Sequence, residues 1–399
     1  MHRSTPEMIQ PHTTSLLMQM VFCALAVVSL LYIPVPILPL LATAYQLPQE
    51  QAGLALSAFA FAYATGFMVF GPLSDRLGRR AVMVGGLVLL AVITLGLAWV
   101  ATPGLFIAGR ALQGFAAASF PPVALAYLSE RGTPKQRVWG VAWMSTAFLS
   151  AGLLGQIYGS VVASRWGFSW ALIPLIVVYA LTALRLAAAP ESNETRRPQS
   201  PFWEGYRQIF TLLGNPALRR VYLPALLLLM SFVTFYIGLD IHLGTAFEGH
   251  GINGLQARGL ALPAFFAPLL APRLIRLWGP HRVATAGLTL AAIGLALCAG
   301  AGEKRITLLL AASVIYVAGV AISVPGLIAR IAATTSPEVR GLAVSFYTFV
   351  LFIGASLGPW LANSSRAWPV ESLFLLLATG LGATAIFSAV RGDKPHCAR

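Results

Sequence analysis

Apolar stretches of about twenty residues recur from one end of this chain to the other, joined by short connections rich in arginine. Each is long enough to cross roughly 30 Å of hydrocarbon as a helix. In lipid every backbone amide needs a partner within the protein, and a helix supplies one to each. Only 10% of the 399 residues are charged, against 57% hydrophobic, whereas soluble domains carry roughly 25% charged residues. A water-exposed surface cannot be built from this composition. The chain reads as an all-α polytopic membrane protein.

Twelve spans fit, near 16–41, 52–73, 81–100, 104–128, 138–163 and 168–188, then 221–246, 254–275, 283–300, 306–329, 342–362 and 371–390. With the N-terminus inside, Arg165, Lys304, Arg305 and Arg366 fall in outer loops and Arg110 and Arg258 within spans. That leaves 21 of the 27 Lys and Arg residues on the cytoplasmic side. The bias sets the orientation and supports an even span count, with both termini cytoplasmic in a bacterial inner membrane. It also accounts for the net charge of +14, so no nucleic acid is implied. Cys23, Cys298 and Cys397 are not spaced as a disulfide or metal pair. The polar first fifteen residues read as a retained tail and not a removed signal peptide.

The organisation is an N-terminal six-helix bundle (1–188), a cytoplasmic linker (189–220), and a C-terminal six-helix bundle with a short tail (221–399). In the linker, Phe202, Tyr206, Ile209 and Leu213 at helical spacing predict an amphipathic helix on the membrane surface, with Trp203 at headgroup level. The halves repeat. Thr133-Pro134-Lys135-Gln136-Arg137 before span five returns as Ser336-Pro337-Glu338-Val339-Arg340 before span eleven, 203 positions on. Gly155-Gln156 falls on Gly358-Pro359 at the same offset, which indicates a duplicated unit.

Between spans two and three stands Gly71-Pro72-Leu73-Ser74-Asp75-Arg76-Leu77-Gly78-Arg79-Arg80. Gly71, Leu73, Asp75, Arg76, Gly78, Arg79 and Arg80 match the loop signature of the major facilitator superfamily. Arg110-Ala111-Leu112-Gln113-Gly114 resembles a second signature, found in its proton-coupled members. The resemblance covers essentially the whole chain and points to the twelve-span drug and metabolite:proton antiporter branch. It implies two pseudo-symmetric six-helix bundles, with spans one, four, seven and ten lining a central cavity. It also implies that Asp75 latches onto the N-terminus of span eleven, where free N–H groups present partial positive charge. Arg76, Arg79 and Arg80 are then expected to hold the loop and to touch anionic lipid. The second-half loop, Pro272 to Arg282, puts Arg276 where Asp75 stands when Gly78 is aligned with Gly279, so the latch is one-sided.

Ionisable groups inside spans tend to be functional. Arg110 lies 21 residues from Arg131, and Asp240 lies 20 residues from Arg220, so both sit about 30 Å from the cytoplasmic end. They are expected to interact, directly or through substrate, with Asp240 protonation coupled to the switch and His242 as its pH-sensitive partner. Phe232, Tyr236 and Asp240 share one face of span seven. With Tyr32, Gln113, Phe115 and Tyr316 they are candidates for an aromatic-polar pocket. Asp240-x-His242 and Glu248-x-His250 suit zinc chemically, but no metal and no cofactor is expected. Pro34, Pro36 and Pro39 should bend or unwind span one. Gly152, Gly155 and Gly159 in span five, and Gly354 and Gly358 in span eleven, permit close helix approach. Ala151 to Gly159 resembles the family's span-five antiporter signature, departing from it at Ala151 and Gln156.

The function expected is secondary active transport by alternating access: proton-coupled export of a small amphipathic drug or metabolite by a monomer. The alternative is a proton-coupled uptake symporter, or a uniporter, for a small polar solute. No nucleophile or metal constellation of an embedded enzyme stands within the spans.

Overall fold

A computed structural model of the chain describes residues 11–46, 49–131, 133–189, 211–249, 251–252 and 254–389. The described residues form helices and their connections. Most of the linker, including Phe202, Trp203, Tyr206 and Ile209, lies outside them, as do His250 and Cys397.

Eleven helical stretches among the described residues are long and apolar enough to cross a bilayer. One of them, Gln256–Ala301, has 46 residues. At 1.5 Å per residue that is about 69 Å, twice what a bilayer needs. It turns at Gly279, whose φ of 80° lies outside helical space, and so holds two spans. The twelve are α1 (Pro11–Tyr32), α2 (Gln49–Leu77), α3 (Arg79–Leu97), α4 (Pro103–Ala117 and Pro121–Glu130), α5 (Pro134–Tyr158) and α6 (Phe168–Ala188). Then come α7 (Pro216–Gly249), α8 (Gly254–Gly259, Leu262–Leu270 and 271–278), α9 (280–301), α10 (Ile306–Thr334), α11 (Pro337–Ser364) and α12 (Val370–Ala389).

Prolines set the breaks. After α1 the chain runs through a 3-10 turn at Val35–Ile37 and a separate helix at Leu38–Ala44. This is the interruption expected where Pro34, Pro36 and Pro39 remove backbone donors. Span four, expected to be continuous, is interrupted at 118–120 ahead of Pro121 and Pro122 for the same reason. The start of α5 is fixed by a reciprocal cap. Gln136 N donates to the Thr133 hydroxyl, and Thr133 N donates to the Gln136 side chain.

Helices α1–α6 pack among themselves, α1 on α5, α2 on α4 and α3 on α6, and the second half repeats the plan with α7 on α11 and α9 on both α10 and α12. Glycines set the repeated α1–α5 and α7–α11 contacts. A Cβ on Gly159 would stand 2.2 Å from the Ile33 carbonyl oxygen, and one on Gly354 would stand 2.0 Å from that of Leu226. Gly155 meets Ser29, and Gly358 meets Val233, as closely as backbone allows. Without a hydrophobic force between helices in lipid, such small-residue contacts carry the packing. The halves meet where α11 lies on α2 and the lower part of α4, and where α5 lies on α8 and α10.

Candidate functional site

The seam between the halves collects the polar side chains that apolar packing cannot satisfy. Far from the Arg-rich loops, α7 presents Phe232, Tyr236 and Asp240 on one face. Phe232 meets the Tyr236 ring edge-on at 5.0 Å and the Phe265 ring of α8 at 6.1 Å. Arg258, near the end of the short helix that opens α8, donates to the Asp240 carboxylate, to the Tyr236 carbonyl oxygen at 3.3 Å, and to the Gln156 side-chain oxygen of α5. Gln156 holds itself in place by donating its amide to the Gly152 carbonyl at 2.8 Å, one turn back. Arg258 therefore ties an acid of one half to an amide of the other. Its side chain is 11% exposed, while that of Asp240 is 47% exposed. The guanidinium is the anchored member of the pair and the carboxylate is the one with room to move.

Toward the middle, Tyr63 of α2 sits between Phe67, at 4.5 Å, and Phe352 of α11, at 5.2 Å. Tyr32 lies over Gly152, 3.8 Å from where a Cβ would stand. The hydroxyls of Tyr63, Tyr236 and Tyr347 and the Nε of Arg258 are buried without a hydrogen-bond partner among the described residues. An unmet buried polar group costs about 1–3 kcal/mol.

At the basic end, Arg79 is the centre. It pairs with Asp75 at 2.5 Å and with Glu130 of α4 at 3.3 Å, and also donates to the Ser74 hydroxyl. Its guanidinium lies against α11, where Gly341 leaves no room for a side chain. Gly71 meets Ser345 of α11 in the same way, at 2.8 Å from Cβ to Cβ. Arg79 is thus buried, at 5% exposure, because α11 covers it. The expectation that it touches lipid is corrected. Arg80 donates to the Ala187 carbonyl of α6, and Arg76 is exposed.

Arg110 and Asp240 are not joined. Arg110, fully buried, donates to Gln113 at 2.5 Å and to the Leu30 carbonyl at 3.0 Å, and lies 4.3 Å over the Phe59 ring. Gln113 in turn donates to Thr94 at 2.9 Å. All of these partners are in the N-terminal half, so the shared depth of Arg110 and Asp240 does not make them neighbours. Of the expected pocket lining, Phe232 and Tyr236 lie beside Phe265 and Arg258 in the C-terminal half, and Tyr32 lies over Gly152 in the N-terminal half. Gln113 is inside its own half, as is Tyr316, which donates to Ser231 at 3.0 Å and packs edge-on to Phe235. Phe115 packs on Phe70 of α2 at 5.1 Å. His242 stands two residues beyond Asp240, about 200° around the helix. The charges near it are Glu303 and Glu371, so it is not the partner of Asp240. No group of three His, Cys, Asp or Glu residues able to hold a metal occurs among the described residues.

Sequence reasoning noted Arg258 as an arginine within a span but gave it no partner, and it missed Glu130. In-span charge was the available signal for the first, and the scarcity of acids, 13 in all, for the second.

A family model described as Major Facilitator Superfamily matches residues 20–275. The inner membrane transport protein YnfM of Escherichia coli (strain K12) is 30% identical over 246 residues, a match that spans 58% of this chain and 56% of that protein. The bacillibactin exporter of Bacillus subtilis (strain 168) is 24% identical over 373 residues, covering 86% of this chain and 91% of that one. Among solved structures, the human organic anion transporter MFSD10 (TETRAN) superimposes with a TM-score of 0.75. It covers 95% of this chain and all of that one at 18% identity, a likeness of fold alone.

Proposed function

The chain belongs to the Major Facilitator Superfamily, as a multi-pass membrane transporter and not an enzyme, and from that premise we propose that it exports a small amphipathic molecule by alternating access coupled to protons. The observation that carries this reading is Arg258, which bridges Gln156 of one half and Asp240 of the other. At the opposite end Arg79 packs against Gly341 of the other half, while its polar partners Asp75, Glu130 and Ser74 belong to its own half. A breakable polar closure at one end of the seam and a close packing contact at the other suit a machine that opens one side at a time.

On this reading the basic end is cytoplasmic, and Asp75 and Arg79 form the inner closure. Gln156, Arg258 and Asp240 form the outer one, and Asp240 takes the proton. Protonation removes the charge-assisted bond to Arg258 and loosens the outer closure. Arg110 and Gln113 stiffen the wall of the N-terminal half. The exposed basic residues face anionic lipid, and the working unit is a monomer in the bacterial inner membrane. The outward direction draws on the relative named as an exporter. Proton-coupled uptake of a small polar solute is the second reading. It is favoured by the Arg258–Asp240 pair itself, because protonating Asp240 on one side frees Arg258 for a solute on that same side.

The test is reconstitution into liposomes with an imposed pH gradient and a panel of cationic, neutral and anionic probes. The expected result is pH-driven flux that Asp240→Asn uncouples. Flux indifferent to pH refutes proton coupling, and accumulation into cells refutes export.

A further inference from the structure

We infer that the molecule bound at the seam is an organic monoanion, a carboxylate on a flat apolar body, held by Arg258 in place of Asp240. This deepens the reading of the seam as the substrate site and rests on it; because the proton and the anion then bind together, it supports the second, uptake reading over export.

Three observations carry it. First, Arg258 cannot easily leave. It is anchored by Gln156 and by the Tyr236 carbonyl, its side chain is 11% exposed, and it lies 5.6 Å from the centroid of the Tyr236 ring. Asp240, 47% exposed, is the member that a ligand displaces, and what replaces a carboxylate on a guanidinium is another carboxylate. Second, at this site Arg258 Nε and the neighbouring Tyr236 hydroxyl, both able to donate, are buried without a hydrogen-bond partner among the described residues. Third, the wall beside Arg258 is aromatic, with Phe232 packed against both Tyr236 and Phe265, which suits a planar body.

The competition sets the pH dependence. The charged group facing Asp240 from the helix packed on it is Arg258 of α8. On its own helix His242 lies on another side, near Glu303 and Glu371. Acid neutralises Asp240 and removes the competitor, so anion binding strengthens as pH falls.

Equilibrium binding to the purified full-length protein tests this without any gradient. Benzoate, benzamide and benzylammonium share shape and differ in charge. Benzoate is expected to bind about tenfold or more tightly than the other two, and more tightly as pH is lowered within the range where benzoate stays ionised. Arg258→Gln should weaken benzoate by about tenfold or more, and Asp240→Asn should keep benzoate binding and flatten its pH dependence. Preference for benzylammonium, benzoate binding unchanged in Arg258→Gln, or no benzoate binding to the wild type overturns the proposal. If Arg258→Gln does not fold, Asp240→Asn decides, and an unchanged pH dependence there overturns it. Because no flux is measured, loss of proton coupling in liposomes leaves this result standing, and a cation preference here leaves coupling standing.

Discussion

A methyl group at Gly341 should force the basic end of the transporter open. The Cβ of Gly341→Ala would stand 1.6 Å from Arg79 Nη2, 2.7 Å from its Cζ and 3.0 Å from Glu130 Oε1. Contact at van der Waals distance requires the guanidinium to retreat by about 2 Å. Arg79 has nowhere to retreat without loss, since it is buried and holds Asp75 at 2.5 Å and Glu130 at 3.3 Å. A shift of that size takes at least one carboxylate out of bonding range. One charge-assisted hydrogen bond is worth about 1.5–3 kcal/mol, or roughly a 10- to 150-fold change in the ratio of closed to open states. Spin labels on Leu77 and Leu277, exposed at 62% and 70% in opposite halves, report that ratio as a distance distribution in nanodiscs. Native Cys23 and Cys298 are buried, and Cys397 is replaced by Ser for labelling. Gly85→Ala is the control, since nothing lies within 4 Å of its Cβ position. A wild-type distribution in Gly341→Ala would refute the reasoning, because the Arg79 contact would then bear no load.

Asp75→Asn, which keeps the shape of the loop and removes its charge, should shift the same label distances toward the open state by less than Gly341→Ala. An unchanged distribution sinks the latch. Arg110→Ala should lower thermal stability, by about 2–6 kcal/mol, since it leaves two buried acceptors, the Gln113 side-chain oxygen and the Leu30 carbonyl, unmet; a melting temperature within error of wild type would contradict this. Tyr316→Phe should cost about 1 kcal/mol through the lost bond to Ser231 and leave probe affinity untouched, so a selective affinity loss would return Tyr316 to the site. Gly159→Val should prevent α5 from seating on Ile33 and abolish monodisperse protein; normal yield would show that the contact yields.

The sequence displayed what depends on distance along the chain. Span count follows from apolar length, the break after α1 from three prolines, and the α5 cap from Thr133 and Gln136. It could not display what depends on azimuth. Arg110 and Asp240 lie at one depth, yet rotation about the helix axes gives the first to Gln113 and the second to Arg258. In a soluble helix the polar face would have supplied the missing angle. In lipid, core and surface are both apolar, as exposed Leu184 and buried Leu186 on α6 illustrate, so that signal is lost. Arg79 was misjudged for the same reason: its neighbours in sequence are basic and exposed, and only the packing of α11 buries it.

Gly78 and Gly279 hold φ values of 90° and 80° at the starts of α3 and α9. The side chains of the two loops have diverged, one keeping Asp75 and the other carrying Arg276, yet the backbone bends alike in both. A side chain there would cost roughly 1–3 kcal/mol, so backbone geometry constrains these two sites independently of the chemistry next to them. They are natural splice points. A hybrid joined at these glycines keeps both helix starts in register, so the acid of one loop can be transplanted into the other without moving a span. Such a graft would build a second carboxylate closure where the duplicated half now has none.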